Sequence, residues 1–447
     1  MSRDICSPVR TACWPQARRC AGAMRVALTL VGGLAVNLQA QANAEVRPLG
    51  QIEATSGAFG TVVGVRHLPG NRLLVNDVLR RQVVLLDSAL APVKIVADTT
   101  AATRRAYGNR IGGLLAYRGD STLFIDPGSL SMLVIDPDGS IVRTMAAPRA
   151  DDLAAVLGGP RGNAGFDKDG RLVYRPAQAI AGFGTLPTTA GVHVVAPDSA
   201  PIVRFDLTTR TLDTIAYTRI EPHKVVVART DSGTSVSPIL DPLPDLDEWT
   251  IDAAGNVVVL RHDMHIDFVD ARGNRRGPRI PFAWRRLTDS AKVAIVDSLR
   301  KVNQPTTQQE VRPAGLVPLG VGPAQGGGAA GGPPQVGPVP LGGPAGGRRV
   351  LPAHVTLVPP EKLPDYWPAF DRGALRADPS GKLWIRVLTG REREGVAQYA
   401  VLNAEGELVD TVLLPRGTVI VGFGEGGMVY LAVRDAAGVR IVRARER

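Results

Sequence analysis

Two imidazoles and two carboxylates crowd into the six-residue stretch His262-Asp263-Met264-His265-Ile266-Asp267. A histidine beside a carboxylate can act as an oriented general base, or as a metal ligand whose other ring nitrogen the carboxylate holds. Spacing limits both ideas. In an extended strand His262 and His265, three apart, point to opposite faces and cannot chelate one ion together unless a turn intervenes, whereas His265 and Asp267 share a face. The bland alternative for that pair is a hydrogen bond tying neighbouring sheets.

A wider set of polar and aromatic residues sits just ahead of apolar runs, where loops enter strands: Arg110, Arg161, Asn163, Asp247, Glu248, Tyr366, Trp367, Asp371 and Arg372. A second set, Asp77, Arg80, Arg81, Asp126, Arg261, His262 and Asp263, falls between paired apolar runs. Paired guanidinium forks could clamp an anionic group such as a carboxylate. The expected ligand-binding residues are therefore Arg110, Arg161, Asn163, Glu248, Tyr366, Trp367, Arg372 and His262, against the alternative of a solvated rim. Glu248, Asn163 and Asp371 are the one set that could be nominated for a divalent metal, which otherwise is not expected. No HExxH, GxSxG or phosphate-cradling glycine loop occurs, so no catalytic residue is assigned and no cofactor is expected.

The elements that must position these residues declare themselves by repetition. An apolar run ending in Asp or Asn, a polar turn and another apolar run recur at Val83 to Leu90, Leu133 to Ser140, Val203 to Arg210, Asp267 to Asn274 and Ala400 to Glu407. A second hairpin signal recurs at Asp167 to Tyr174, Asp252 to Val259 and Asp378 to Ile385. Two hairpins per unit make four strands per unit, and a period of about 40 to 50 residues is the mark of a β-propeller. The expectation is an all-β, six-bladed β-propeller with units at 60–97, 110–147, 161–220, 246–282, 370–415 and 417–446. A strand over Val46 to Ile52 is expected to complete the last unit and close the ring, leaving no open sheet edge. A seventh unit would have to hide in 221–245, where Val225 to Ala228 is the one strand-like run.

Three insertions break the period. Pro176 to Ala200 is an excursion within the third unit. In 284–302, Leu287, Ala291, Ile295 and Leu299 recur every four residues on one face, which predicts an amphipathic helix capped by Thr288 and packed over one end of the ring. Residues 313–347, an uncharged stretch almost entirely of Gly, Pro, Ala and aliphatics, predict a disordered loop.

The first 44 residues are expected to be a leader. Met24-Arg25 precedes the apolar run Val26 to Val36, and Ala42-Asn43-Ala44 supplies the small residues of a signal-peptidase site. Eleven apolar residues fall short of the roughly 20 that span a bilayer as a helix. The three cysteines, Cys6, Cys13 and Cys20, all lie in this leader, which excludes disulfides and thiolate chemistry from residues 45–447. The leader also holds five of the arginines and lowers the formal charge from +10 to about +6 on the remainder. With no basic cluster interleaved with aromatics, nucleic acid is not an expected partner. A periplasmic or secreted monomer without a transmembrane segment in the mature chain is expected.

The wording is most specific at HDMHIDFVDARGN (His262 to Asn274), IPFAWRRLTDSAKVAIVDSLR (Ile280 to Arg300) and LPDYWPAFDRGALRADPSGKLWIR (Leu363 to Arg386). These segments resemble a group of exported bacterial six-bladed β-propellers related to the NHL and TolB-like propellers. The resemblance covers essentially the whole mature chain and brings no catalytic residues. The expected function is that of a ring that binds a ligand or an envelope protein at one face without chemistry. Hydrolases and lyases of lactonase-like type, dependent on a divalent metal at the channel mouth, supply the enzymatic alternative.

Overall fold

The computed structural model describes residues 46–157, 162–176, 187, 189–230, 233–270, 272–302 and 355–446. The leader, the 313–347 stretch and Arg161 lie outside them. The described chain is nearly all β, and its strands form seven sheets among the described residues.

Turn chemistry explains why the repeats fold as they do. In the recurring turns the Asp or Asn side chain folds back to accept amide protons from the residues two and four further on. Asp252 Oδ1 takes those of Ala254 at 2.9 Å and Asn256 at 2.8 Å, and Asp378 and Asn403 do the same in their own turns. The fourth residue must enter the left-handed region, which Gly tolerates best; φ is +75° at Gly170 and +82° at Gly255.

Six sheets follow the sequence in order, each with a first strand at Val62–Leu68, Gly113–Ala116, Gly165–Phe166, Glu248–Ile251, Leu375–Ala377 or Thr418–Gly424. Each is antiparallel over its four consecutive positions. Their apolar faces pack on one another in succession: Leu74 and Leu85 of the first sheet meet Phe124 of the second, and Leu123 and Ile125 meet Leu172 and Tyr174 of the third. The series continues through Val173 with Trp249, Leu260 with Ile385, and Trp384 with Val429. Val421 and Tyr430 of the sixth sheet then pack against Leu73 and Val75 of the first. Strands buried on both faces in this way read as continuous apolar runs, which is how Leu73 to Val75 and Val257 to Leu260 appear in the sequence.

The front of the described chain departs from expectation. In place of one strand over Val46 to Ile52 there are two. Val46–Pro48 runs parallel beside Leu408–Leu413 as a fifth strand of the fifth sheet, and Ile52–Phe59 pairs antiparallel with Gly438–Arg445 as the outer strand of the sixth. Leu49 turns inward between them, 6% exposed, and its backbone amide donates to Leu413 O at 3.0 Å. Leu49, the link between the two strands, thus packs into the apolar cluster shared by the fifth and sixth sheets.

The seventh sheet was only half legible. Lys224–Thr230 and Gly233–Leu240 form a hairpin where a lone strand was expected, Gly191–Val194 from the third-unit excursion pairs with its first strand, and Thr356–Leu357 runs parallel to its second. Against it lies the helix Asp289–Val302, which starts at Thr288 as expected: Thr288 Oγ1 accepts the Ala291 amide proton at 3.3 Å. Leu287, Ile295 and Leu299 pack with Leu243, Leu357 and Trp367, and Val296 with Val358 and Leu363. The helix thus binds the appended sheet to the loop that precedes the fifth sheet.

Candidate functional site

A short antiparallel contact between two insertions builds one cleft. Arg286 and Tyr366 form a β-bridge; the Leu287 amide donates to Asp365 O at 2.7 Å, and the Trp367 amide to Arg285 O at 3.0 Å. This zipper sets Trp284 beside Tyr366, ring centroids 6.5 Å apart and planes at 80°, and Phe282 stands edge-on to Trp284 at 5.3 Å. Both Trp284 and Tyr366 remain substantially exposed, at 40% and 50%. The loop before the fourth sheet adds Pro244, Asp245 and Leu246, and the turn within that sheet adds His262 and Asp263. The result is a cleft of about 460 Å³, also lined by Asp365, Trp367 and Phe370.

Asp247, 4% exposed, fixes the two fourth-sheet loops. Its carboxylate accepts from the Arg219 amide at 2.8 Å, Arg261 Nη1 at 2.7 Å and the His262 amide at 3.1 Å. Arg261 also grips Asp267 at 2.7 Å. The turn that would let the two histidines approach does intervene at 262–264, with Met264 at φ +63°, but it separates their roles. His262 faces the cleft and lies 3.4 Å from Arg219 Nη1. His265 turns to Asp263 at 2.5 Å and stands 3.5 Å from Asp267. Burial raises the Asp263 carboxyl, yet the hydrogen bond and charge of His265 outweigh it and hold the group below the usual carboxylate range.

A second constellation forms where the third, fourth and fifth sheets meet. The Asn163 amide donates to Trp249 O at 3.2 Å, while its side-chain Nδ2 donates to Leu375 O at 2.7 Å. Gly162, at φ +89°, is required here: a Cβ would sit 2.1 Å from Trp249 Nε1. Glu248, 3% exposed, accepts the Gly373 amide proton, and its Oε2 has no hydrogen-bond partner. Burial pushes its carboxyl up to about 8; the Gly373 amide, Arg175 and Arg372 pull it down, and Asp371 pushes it up. Asp371 is likewise raised, mainly by burial, although Arg386 pairs with it, and its Oδ1 is buried without a partner. Among the described residues no three His, Cys, Asp or Glu side chains converge as a metal-binding group.

The expected site residues therefore separate. His262, Tyr366 and Trp367 meet in the cleft; Asn163 and Glu248 meet at the inner constellation, with Asn163 also lining a second cleft of about 540 Å³ along the first strands of the second to fourth sheets. Arg110 is exposed and lines neither cleft. Arg372 pairs with Glu221 at 2.5 Å, and Arg161 lies outside the described residues. The loop carboxylates Asp77 and Asp126, 0% and 1% exposed, are consumed in holding backbone amides of Gly60, Thr61 and Gly128. Trp284, Asp245 and Asp365 were not singled out from the sequence. Their only signal was an aromatic within a helix-leading insertion and carboxylates flanked by proline.

No family model matches the chain, and no curated protein matches it. Solved structures similar to it include a member of the DUF4221 family from Bacteroides vulgatus, 10% identical over 90% of this chain and 97% of that one, with a TM-score of 0.42. An exported protein from Bacteroides fragilis is 9% identical over 90% and 98%, TM-score 0.42. A gluconolactonase from Xanthomonas campestris is 10% identical over 90% and 98%, TM-score 0.36.

Proposed function

We propose that this chain is an exported six-bladed β-propeller that binds a ligand or an envelope protein partner, without chemistry, in the cleft between its fourth- and fifth-sheet loops. Six cores, each shared by successive sheets and the last joining the sixth to the first, support the closed ring, with Ile52–Phe59 as its clasp. The observation that carries the binding reading is convergence: three separate loops deliver His262, Trp284 and the adjacent Tyr366 and Trp367 to one concave surface of ligand size. Export rests on the signal-like pattern of residues 24–44. No described helix is long and apolar enough to cross a membrane.

The test is a ligand screen on the mature chain by tryptophan fluorescence and calorimetry, repeated on Trp284→Ala and Tyr366→Ala. Ligands that lose affinity in both variants support the reading. Saturable ligands indifferent to both substitutions would refute the cleft as the site.

One observation favours the enzymatic alternative. Glu248 and Asp371 each keep a buried carboxyl oxygen without a partner, and Asn163 is held by its amide nitrogen to Leu375 of the same fifth sheet. An all-oxygen set of this kind suits a hard divalent cation, which would polarise an ester or lactone carbonyl. Elemental analysis of the purified mature chain decides between the readings: one equivalent of metal, lost in Glu248→Gln, would favour a metal-dependent hydrolase or lyase.

A further inference from the structure

We infer that the cleft recognises a small organic cation, an ammonium or guanidinium head on an apolar frame; this rests on the binding reading above and names its ligand class. Although the chain is arginine-rich and net basic, the residues lining this cleft include Asp245, Asp263 and Asp365 but no Lys or Arg. Around them stand Trp284 and Tyr366, two exposed rings nearly perpendicular to each other. Exposed aromatic rings beside carboxylates offer π-faces and negative charge together, the chemistry that holds methylated or alkylated ammonium groups.

The neighbouring cations approach these carboxylates from outside the cleft and none of them lines it, His265 included at 2.5 Å from Asp263. Arg219 approaches Asp245 only at 3.9 Å and Arg276 approaches Asp263 at 3.8 Å, while Lys292 holds Asp365 at 2.7 Å from the helix side. Arg285 already sits 5.4 Å from the Trp367 ring centroid, so an aromatic ring of this cleft accepts a guanidinium within the fold itself. An anion would meet three carboxylates at close range, whereas a cation adds to the partial neutralisation they already receive.

The test uses the mature chain and three cationic probes, choline, n-butylammonium and methylguanidinium, each against a neutral counterpart of similar shape, with 3,3-dimethylbutan-1-ol for choline. Affinity is measured by calorimetry and tryptophan fluorescence at low and high salt. At least one cation is expected to bind about tenfold tighter than its neutral counterpart, to weaken with salt, and to weaken severalfold in both Trp284→Ala and Asp245→Asn. Both positions are solvent-exposed, and circular dichroism of the variants checks that they fold. Equal affinity for cation and neutral counterpart overturns the charge assignment while leaving the binding reading standing. Cation binding that ignores both substitutions overturns the location. Absence of saturable binding by all three cations overturns the inference, and the wider ligand screen then tests the binding reading by itself.

Discussion

Asn163 and Leu375, 212 positions apart in sequence, meet through a 2.7 Å hydrogen bond from Asn163 Nδ2 to the Leu375 carbonyl oxygen. The same asparagine donates its backbone amide to Trp249, so one residue laces the third, fourth and fifth sheets together at their inner strands.

Asn163→Ala removes the Leu375 contact and leaves that carbonyl short of a donor. A loss of about 1–2 kcal/mol in unfolding free energy is expected, measured by urea denaturation. Asn163→Asp should cost more, because a carboxylate would then face the carbonyl oxygen. If both variants unfold like the parent, the lacing role is wrong.

Glu248 predicts a pH dependence of definite sign. Its folded carboxyl lies at about 8 against 4.5 when free, so its contribution is fully present below about pH 4.5 and is lost as pH rises toward and through 8. Within that window this group alone would lower stability by up to about 1.4 kcal/mol per pH unit. Glu248→Gln keeps the shape and can still accept the Gly373 proton, and it should flatten the decline. Denaturation of parent and variant at pH 5 and pH 8 checks this: the variant should gain at pH 8 relative to the parent and differ little at pH 5.

The front strands predict an assembly phenotype. Ser56 Oγ accepts the Ile441 amide proton at 2.9 Å inside the sixth sheet, and Phe59 belongs to the core shared with the first. A chain beginning after Phe59 would expose the whole edge of Gly438–Arg445, which invites pairing with another chain. Size-exclusion chromatography should find aggregates or swapped oligomers in place of a monomer; a well-behaved monomeric truncation would mean that the clasp is dispensable.

Lys292, 5% exposed, reaches from the helix to Asp365 at the lip of the cleft. Its hydrogen bond and charge hold the Asp365 carboxyl below the usual range. In Lys292→Met that carboxyl should return upward toward its ordinary value, as followed by carbon NMR titration, and the cleft should bind cationic probes more tightly. An unchanged Asp365 would transfer the effect to Arg286, the other cation acting on it.

Much of this architecture was readable because its turns are local. Asp252 and Gly255 specify their hairpin through contacts within five residues, and the same chemistry recurs at Asp167, Asp378 and Asn403, so repeat, strand count and sheet type follow from spacing alone. The helix was legible for a similar reason, since the four-residue spacing from Leu287 to Leu299 already describes its buried face. The seventh sheet was not, because Gly191–Val194 and Thr356–Leu357 are too short to carry a pattern and acquire meaning only as partners of the hairpin between them.

The candidate site divides along the same line. Composition and order of residues determined a four-stranded repeat, an apolar interior and loops carrying His262, Tyr366, Trp367 and Glu248. Only the tertiary structure decided that the first three share a cleft with Trp284 and three aspartates, that Glu248 is sealed beside Asp371, and that Arg372 is taken by Glu221. The physical reason is that a turn is set by neighbours in sequence, whereas the charge and depth of a pocket depend on which distant loops the packed sheets bring together.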